Sequence, residues 1–248
     1  MNTGDNNIEE FTLYLMSNSS KTYFPKNCGN WFTVKLEKPL TFQNHTNWEL
    51  AITEIIYPNA ICTLNGEQLV IVGKDGSNIA VVTYPSVRCT SLQDLVKHLN
   101  KNEKFYHFTV LKEEERLKLT VYEPYTVILN QTLSDILCFD QQHILAAHSP
   151  VVSSDRPSLT RHVDYLYVYS NIGQYVSVGD TKVPLLRYFP FTTTRRKLKT
   201  FLKRLYVGLN QSYIEHIEVS IRDGAGELVP FFGDDNTQLT LQFRRRRR

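Results

Sequence analysis

An antiparallel all-β fold is predicted from three observations. Tyr contributes 14 residues and Phe 13, and aromatic and β-branched residues suit a pleated, half-buried surface. Apolar residues recur with a period of two through most of the chain. Strand-like runs follow one another at short spacing with no strand–long helix–strand rhythm, which points to a sandwich or barrel and away from a parallel α/β sheet. A length of 248 residues accommodates one large β domain or two small ones.

The elements read as follows. Residues 1–10 form a polar arm. Phe11 to Met16 is the first apolar run. Residues 17–30, rich in Ser, Asn and Lys, form a loop. In 31–42, Phe32, Val34 and Leu36 alternate with Thr33, Lys35 and Glu37, which makes a half-buried strand ending near Pro39. Residues 48–58 are apolar on both parities, as in a strand covered on both sides. Glu54 interrupts one parity. Runs 67–72 and 79–84 flank GKDGSN as a hairpin. Thr90-Ser91 then caps a short helix over 91–102, with Leu92, Leu95, Val96 and Leu99 on one face. Runs 105–111 and 117–122 bracket KEEER as a second hairpin, and 125–129 is a further strand. A small helix over 132–139 turns Leu133, Ile136 and Leu137 inward. Residues 140–160 read as a long exposed loop. Strands resume at 163–169, 175–178, 182–191, 214–221, 228–232 and 238–243.

Charge and cysteine usage narrow the function classes. The formal net charge is +3, from 28 bases and 25 acids. Removing Arg244 to Arg248 leaves 23 bases against 25 acids, so attraction to nucleic acid has to come from local patches. Cys28, Cys62, Cys89 and Cys138 are widely spaced, with no C-x-x-C pair. They are expected to be reduced, mostly buried thiols of a protein made inside the cell and not secreted through a signal peptide. No apolar run approaches the roughly 20 residues that a membrane-spanning helix needs. No cofactor is implied. The histidines (45, 98, 107, 143, 148, 162 and 216) form neither H-x-H nor H-E-x-x-H. The glycines lack phosphate-loop spacing, and no nucleophile elbow is present. Cys138 beside His143 or His148 is better explained as a core thiol of a Leu-rich helix than as a nucleophile with its base. The expectation is therefore a protein that works by assembly and is not an enzyme.

Two basic features and one aromatic feature stand out. In 195–205 (RRKLKTFLKRL), Arg195, Arg196, Lys199 and Lys203 carry charge. Read as a helix, the segment gathers Leu198, Phe201, Leu202 and Leu205 on one face; read as a strand, its apolar phase is poorer. It is a solvated basic face or a patch for nucleic acid or an acidic partner. The tail Arg244, Arg245, Arg246, Arg247 and Arg248 follows directly on a strand and reads as a flexible cationic end suited to phosphate. Tyr165, Tyr167 and Tyr169 share one face of a strand. They are either an ordinary sandwich face or an interface, because tyrosine joins an apolar body to a polar tip.

Two blocks of residues resemble a known family. LMSNSSKTYFPKNCGNWFTVKLEKPLTF followed by NWELAITEIIYPN is similar to the start of the minor capsid, or penton, proteins of Polinton/Maverick elements and related adintoviruses. In those proteins an FP-N turn precedes an L-x-x-P-L strand and then a W-E-x-x-L-x-E-I-x-YP strand, with Ile52 here in place of the motif's Leu. VDYLYVYSNI, VGDTKVPLLRYF and IEHIEVSIRDGAGELVPFFGDDNTQLTLQFRR match in the same order. The resemblance covers roughly 11–60 and 160–245, and the middle matches poorly. The segment 195–205 is more basic, and the Arg run longer, than in the family.

That resemblance implies a single jelly roll, an antiparallel β-sandwich with one or two short helices inserted. The sandwich spans 11–243, with an insertion around 91–160, an arm at 1–10 and a basic tail at 244–248. It further implies a homopentamer at the vertices of an icosahedral capsid, located in the virion. Its partners are its own copies, a major capsid protein of double jelly-roll type and, through the basic segments, genomic DNA. A jelly-roll ligand- or receptor-binding module outside a capsid is the alternative.

Overall fold

A computed structural model describes residues 9–101, 103–140, 143–145, 150–192, 198–233 and 235–246. The chain divides into two compact units. The first joins 1–60 to 163–248, and the second is 61–162.

The first unit is a jelly roll. Its strands are β1 (Glu10–Met16), β2 (Trp31–Thr41), β3 (Trp48–Ile56), β11 (Tyr165–Ser170), β12 (Val176–Val178), β13 (Thr181–Val183), β14 (Leu185–Pro190), β15 (Leu198–Thr200), β16 (Val207–Gly208), β17 (Tyr213–Arg222) and β18 (Gln238–Arg245). One sheet has the order β1-β18-β3-β15, with β16 also on β3, and the other has the order β14-β11-β17-β2. Leaving aside β12, β13 and β16 and numbering the other eight along the chain, the sheets read 1-8-3-6 and 5-4-7-2, the strand order of a jelly roll. Every pairing is antiparallel.

Alternation dictates which face each strand buries. Leu15, Leu50, Ile52, Leu239, Leu241 and Phe243 line the core from the first sheet. Phe32, Val34, Leu166, Val168, Ile217 and Val219 are buried in the second. Phe11 stacks on Phe243 at 4.8 Å and 3°, an arrangement that adds to simple burial. Glu54 does not break β3. The register slips between Thr240 and Leu241, pairing Thr240 with Glu54 and Leu241 with Ile52. A bulge at Thr53 therefore changes the strand's parity, and Ile55 joins the core while Glu54 does not.

Several expected boundaries are corrected. β2 does not stop near Pro39. Its register jumps from Lys35 opposite His216 to Leu40 opposite Ile214, so the proline falls in an irregular stretch where no ladder N–H is needed. The segment 228–232 forms no strand of its own; Leu228 makes an isolated bridge to Arg222, and Val229 N donates to Ile221 O. Over 198–205 the helix reading does not hold. Residues 193–197 lie outside the described residues, and Leu198–Thr200 pair with Ile56, Ile55 and Glu54 of β3. Tertiary pairing overrides the helical period here. The edge of β2 is closed by its own preceding loop. The Asn27 amide donates to Thr33 O (2.8 Å) and its Oδ1 accepts from Thr33 N (2.9 Å), while Ser20 Oγ accepts from Lys35 N (3.0 Å). Such cover blocks uncontrolled strand pairing.

The second unit has its own core. Its strands are β4 (Gln68–Val72), β5 (Asn78–Thr83), β6 (Tyr106–Leu111), β7 (Arg116–Val121), β8 (Thr126–Leu129), β9 (His143–Leu145) and β10 (Val151–Val152), with helices α1 (Leu92–Leu99) and α2 (Gln131–Leu137). They form sheets β5-β4-β8-β9 and β10-β7-β6. Both expected hairpins and both helices are present. Residues 140–160 are not loop throughout, since β9 pairs with β8 and β10 with β7. Ser91 caps α1 by accepting from Asp94 N, and Asn130 caps α2 by accepting from Leu133 N. Tyr84 and Tyr106 are fully buried. Their hydroxyls meet at 3.2 Å, and both bond the Leu99 carbonyl that ends α1. The insertion expected around 91–160 corresponds in the structure to a unit that starts at 61.

Contacts between the start and end of the second unit close it. Glu67, only 3% exposed, is paired with Arg161 and also accepts from Asn65 N. Thr63 Oγ1 donates to Leu159 O (2.8 Å), and Ser158 Oγ accepts from His162 N (2.7 Å). Arg161 and His162 both have φ 56. That left-handed backbone is costly for side chains with a Cβ and persists where neighbouring contacts over-determine it.

Candidate assembly surfaces

The outer face of the sheet β14-β11-β17-β2 carries the tyrosines singled out in the sequence. Leu166, Val168 and Ser170 are buried, which turns Tyr165, Tyr167 and Tyr169 outward. A further tyrosine, unremarked in the sequence, completes the cluster. Tyr188 of β14 stands opposite Tyr167, with the rings stacked at 5.7 Å and 21°, and lies 6.3 Å from the Tyr165 ring. Tyr188 is 54% exposed and Tyr165 45%. Burial, with the neighbouring Tyr167 adding to it, raises the Tyr169 pKa above the ordinary tyrosine value. The alternation of LLRYFP held the signal for Tyr188, but the bulge between Val168 and Tyr169 hides the phase.

The arginine tail is partly built into the fold. β18 runs to Arg245, so the ordered part extends beyond the expected end at residue 243. Arg244 Nε donates to Glu49 Oε1 at 2.7 Å, and its guanidinium lies 3.3 Å from the Tyr206 ring centre. Arg246 Nε approaches Glu49 Oε2 at 3.6 Å. Tyr206 OH donates to Gln242 Oε1 (2.8 Å), and the Gln242 amide reaches Glu10. Arg245 lies on the opposite side, 5.8 Å from the Trp48 ring centre. Glu49 is buried, so two arginines serve one carboxylate taken out of water. Arg247 and Arg248 lie outside the described residues. No sequence pattern linked Glu49 to the tail.

The described part of the other basic segment lies at the β15 edge of that sheet. Arg195 and Arg196 lie outside the described residues, and Lys199 is half-buried in β15. The chain leaves β3 after Phe201, whose N–H donates to Thr53 O (2.8 Å), and returns to it at Val207, opposite Leu50. Residues 202–205 bulge out between these points, all exposed, with Leu202 at 97%. Arg187 holds the bulge from behind. It donates to Lys203 O at 2.8 Å and lies 4.1 Å from the Phe201 ring centre. Burial lowers its pKa below the usual arginine value. Arg244 of the tail packs on Tyr206, which follows the bulge directly, so the described parts of the two basic segments meet at that ring.

Among the described residues no group of three or more His, Cys, Asp or Glu is arranged to hold a metal, and no helix is long and apolar enough to cross a membrane. Cys89 is buried, and its thiol is pushed up to about 11, mainly by desolvation. Burial likewise raises the Cys138 thiol, with Asp155, Asp135 and Asp140 adding to it. Such shifts oppose thiolate chemistry. Cys28 is exposed, unlike the expectation for most of the thiols.

No protein-family model matches the chain. No curated protein matches it either. A solved structure, the crystal structure of SeMet-labelled mavirus penton protein, aligns over 95% of this chain and 99% of its own, with a TM-score of 0.43 and 13% sequence identity.

Proposed function

We propose that the chain is a structural minor capsid, or penton, protein that forms homopentamers at the vertices of an icosahedral shell. Its neighbour there is a major capsid protein of double jelly-roll type, and its location is the virion. One observation carries the reading. The blocks that resemble the Polinton/Maverick penton proteins, 11–60 and 160–245, coincide with the unit formed by 1–60 and 163–248. That unit has jelly-roll strand order. The poorly matching middle is the separate unit. A resemblance of isolated motifs would not be expected to respect a boundary of the fold. The role is assembly and not catalysis.

Native mass spectrometry and negative-stain imaging of the full chain test the proposal. Five-fold rings are expected, alone or on mixing with the shell protein. A monomer under both conditions overturns it. The exposed Tyr165–Tyr167–Tyr188 cluster favours a second reading, a ligand- or receptor-binding jelly roll. That reading requires saturable ligand binding by a chain that does not form rings. DNA binding falls to the tail in this proposal. Truncation after Arg244 is expected to lower DNA affinity and to flatten its salt dependence, by about 0.9 in log–log slope for each phosphate that the tail no longer neutralises.

A further inference from the structure

The sheet β1-β18-β3-β15 has two edges of opposite character. One is β1. Among the described residues it pairs only with β18, leaving a seven-residue strand with an open backbone side. Glu9 and Glu10 lie at its start, and the strand itself, EFTLYLM, contains no base. Tyr14 (72% exposed) and Met16 (39%) project from its outer face. The other edge is the bulge 202–205 between β15 and β16. It presents Leu202, Lys203, Arg204 and Leu205, and the whole stretch 193–206 contains no acid. Leu202 (97% exposed) and Leu205 (41%) stand on this bulge, and Arg187 bonds the Lys203 carbonyl between them.

We infer that these two edges are the two halves of one contact between copies, with the bulge of one copy seated against the β1 edge of the next. Leu202 and Leu205 would meet Tyr14 and Met16, while Lys203 and Arg204 would face Glu9 and Glu10. Opposite edges of one sheet are different surfaces, so the contact is heterologous, the kind that propagates head to tail and closes into a ring when its rotation permits. It also covers an edge that would otherwise pair without control, and its charges select the register in which the edges meet. This rests on the reading of the chain as one that assembles with its own copies. Among the occupants of a basic bulge, nucleic acid is the competitor. The apolar pair at its tip favours a protein surface.

The test uses the full chain in sedimentation velocity over a range of concentrations, with melting midpoints as the check on folding. Leu202→Asp is expected to weaken association about tenfold or more, as is Lys203→Glu with Arg204→Glu, because like charges then face each other. Glu9→Lys with Glu10→Lys is expected to do the same. The chain carrying both reversals is expected to regain association. Rings that survive every variant overturn the contact and leave the vertex reading standing. Assembly that depends on these residues but closes at a number other than five supports the contact and sinks the vertex reading. A wild type that stays monomeric overturns the contact. So does a bulge variant that loses affinity for a DNA duplex while its assembly is unchanged.

Discussion

The two units solve the same packing problem from opposite chain geometries. In the jelly roll, Glu10 pairs with Arg244 and Trp31 with Ser220, so its sheets are made of residues far apart in sequence. In the inserted unit, hairpins 68–83 and 106–121 pair neighbours, and two capped helices fill in. Both units bury polar groups and give them partners: the jelly roll sets Asn27 against β2 and Glu49 under two tail arginines, and the inserted unit pairs Glu67 with Arg161 and Tyr84 with Tyr106. They differ in how many cations serve the carboxylate: among the described residues Arg161 alone pairs with Glu67, whereas Arg244 and Arg246 share Glu49. A self-contained unit can occupy the connection between β3 and β11 because its own core and closing contacts meet its folding cost.

The largest effect expected from breaking this contrast is at the buried pair. Arg161→Met leaves Glu67 without its partner in a dry site and should cost about 3–5 kcal/mol. The loss should appear in hydrogen exchange as deprotection confined to 61–162. Arg244→Met in the jelly roll should cost less, about 1.5–3 kcal/mol, because Arg246 still approaches Glu49. Equal losses, or deprotection spread over both units, would show that they unfold together.

Alkaline titration should separate the units next. Tyr84, Cys89 and Tyr106 hold raised pKa values, all chiefly through burial. Their protons remain in the folded state after the unfolded chain has released them. The stability they contribute is therefore complete below pH 9.0 and falls as pH rises through about 11 for Cys89. Tyrosine absorbance and exchange protection should show 61–162 loosening before the jelly roll. The reverse order would contradict the assignment. The smallest expected effect is at a helix cap. Ser91→Ala removes the acceptor for Asp94 N and should lower stability by about 1 kcal/mol, read from a urea midpoint.

Most of the strands were legible because exposed and buried residues alternate on them, and α1 was legible from its cap and its i, i+3, i+4 apolar spacing. What misled were positions where the chain leaves its period. Thr53 and the irregular stretch around Pro39 are bulges, and no local pattern marks a bulge. The segment 198–205 has the spacing of an amphipathic helix, but strand β3 offers backbone partners and wins. At the candidate surfaces, the outward tyrosines on β11 followed from alternation. Tyr188 and the Glu49 clamp depend on neighbours supplied by distant strands, which periodicity cannot reveal.

The pairing of β1 with β18 has a consequence for synthesis. On a ribosome, β1 emerges long before β18, its only described partner. At about 5–20 residues per second, the delay between Met16 and Gln238, partners in the finished sheet, is on the order of 10–45 s. Throughout that interval Phe11, Leu13 and Leu15 have no sheet to join. The segment 61–162, contiguous in sequence, can fold in the meantime. A nascent chain is therefore expected to carry one finished unit and three unpaired strands, β1, β2 and β3, whose described partners all follow residue 162, and chaperone capture during translation should map to them, longest at β1.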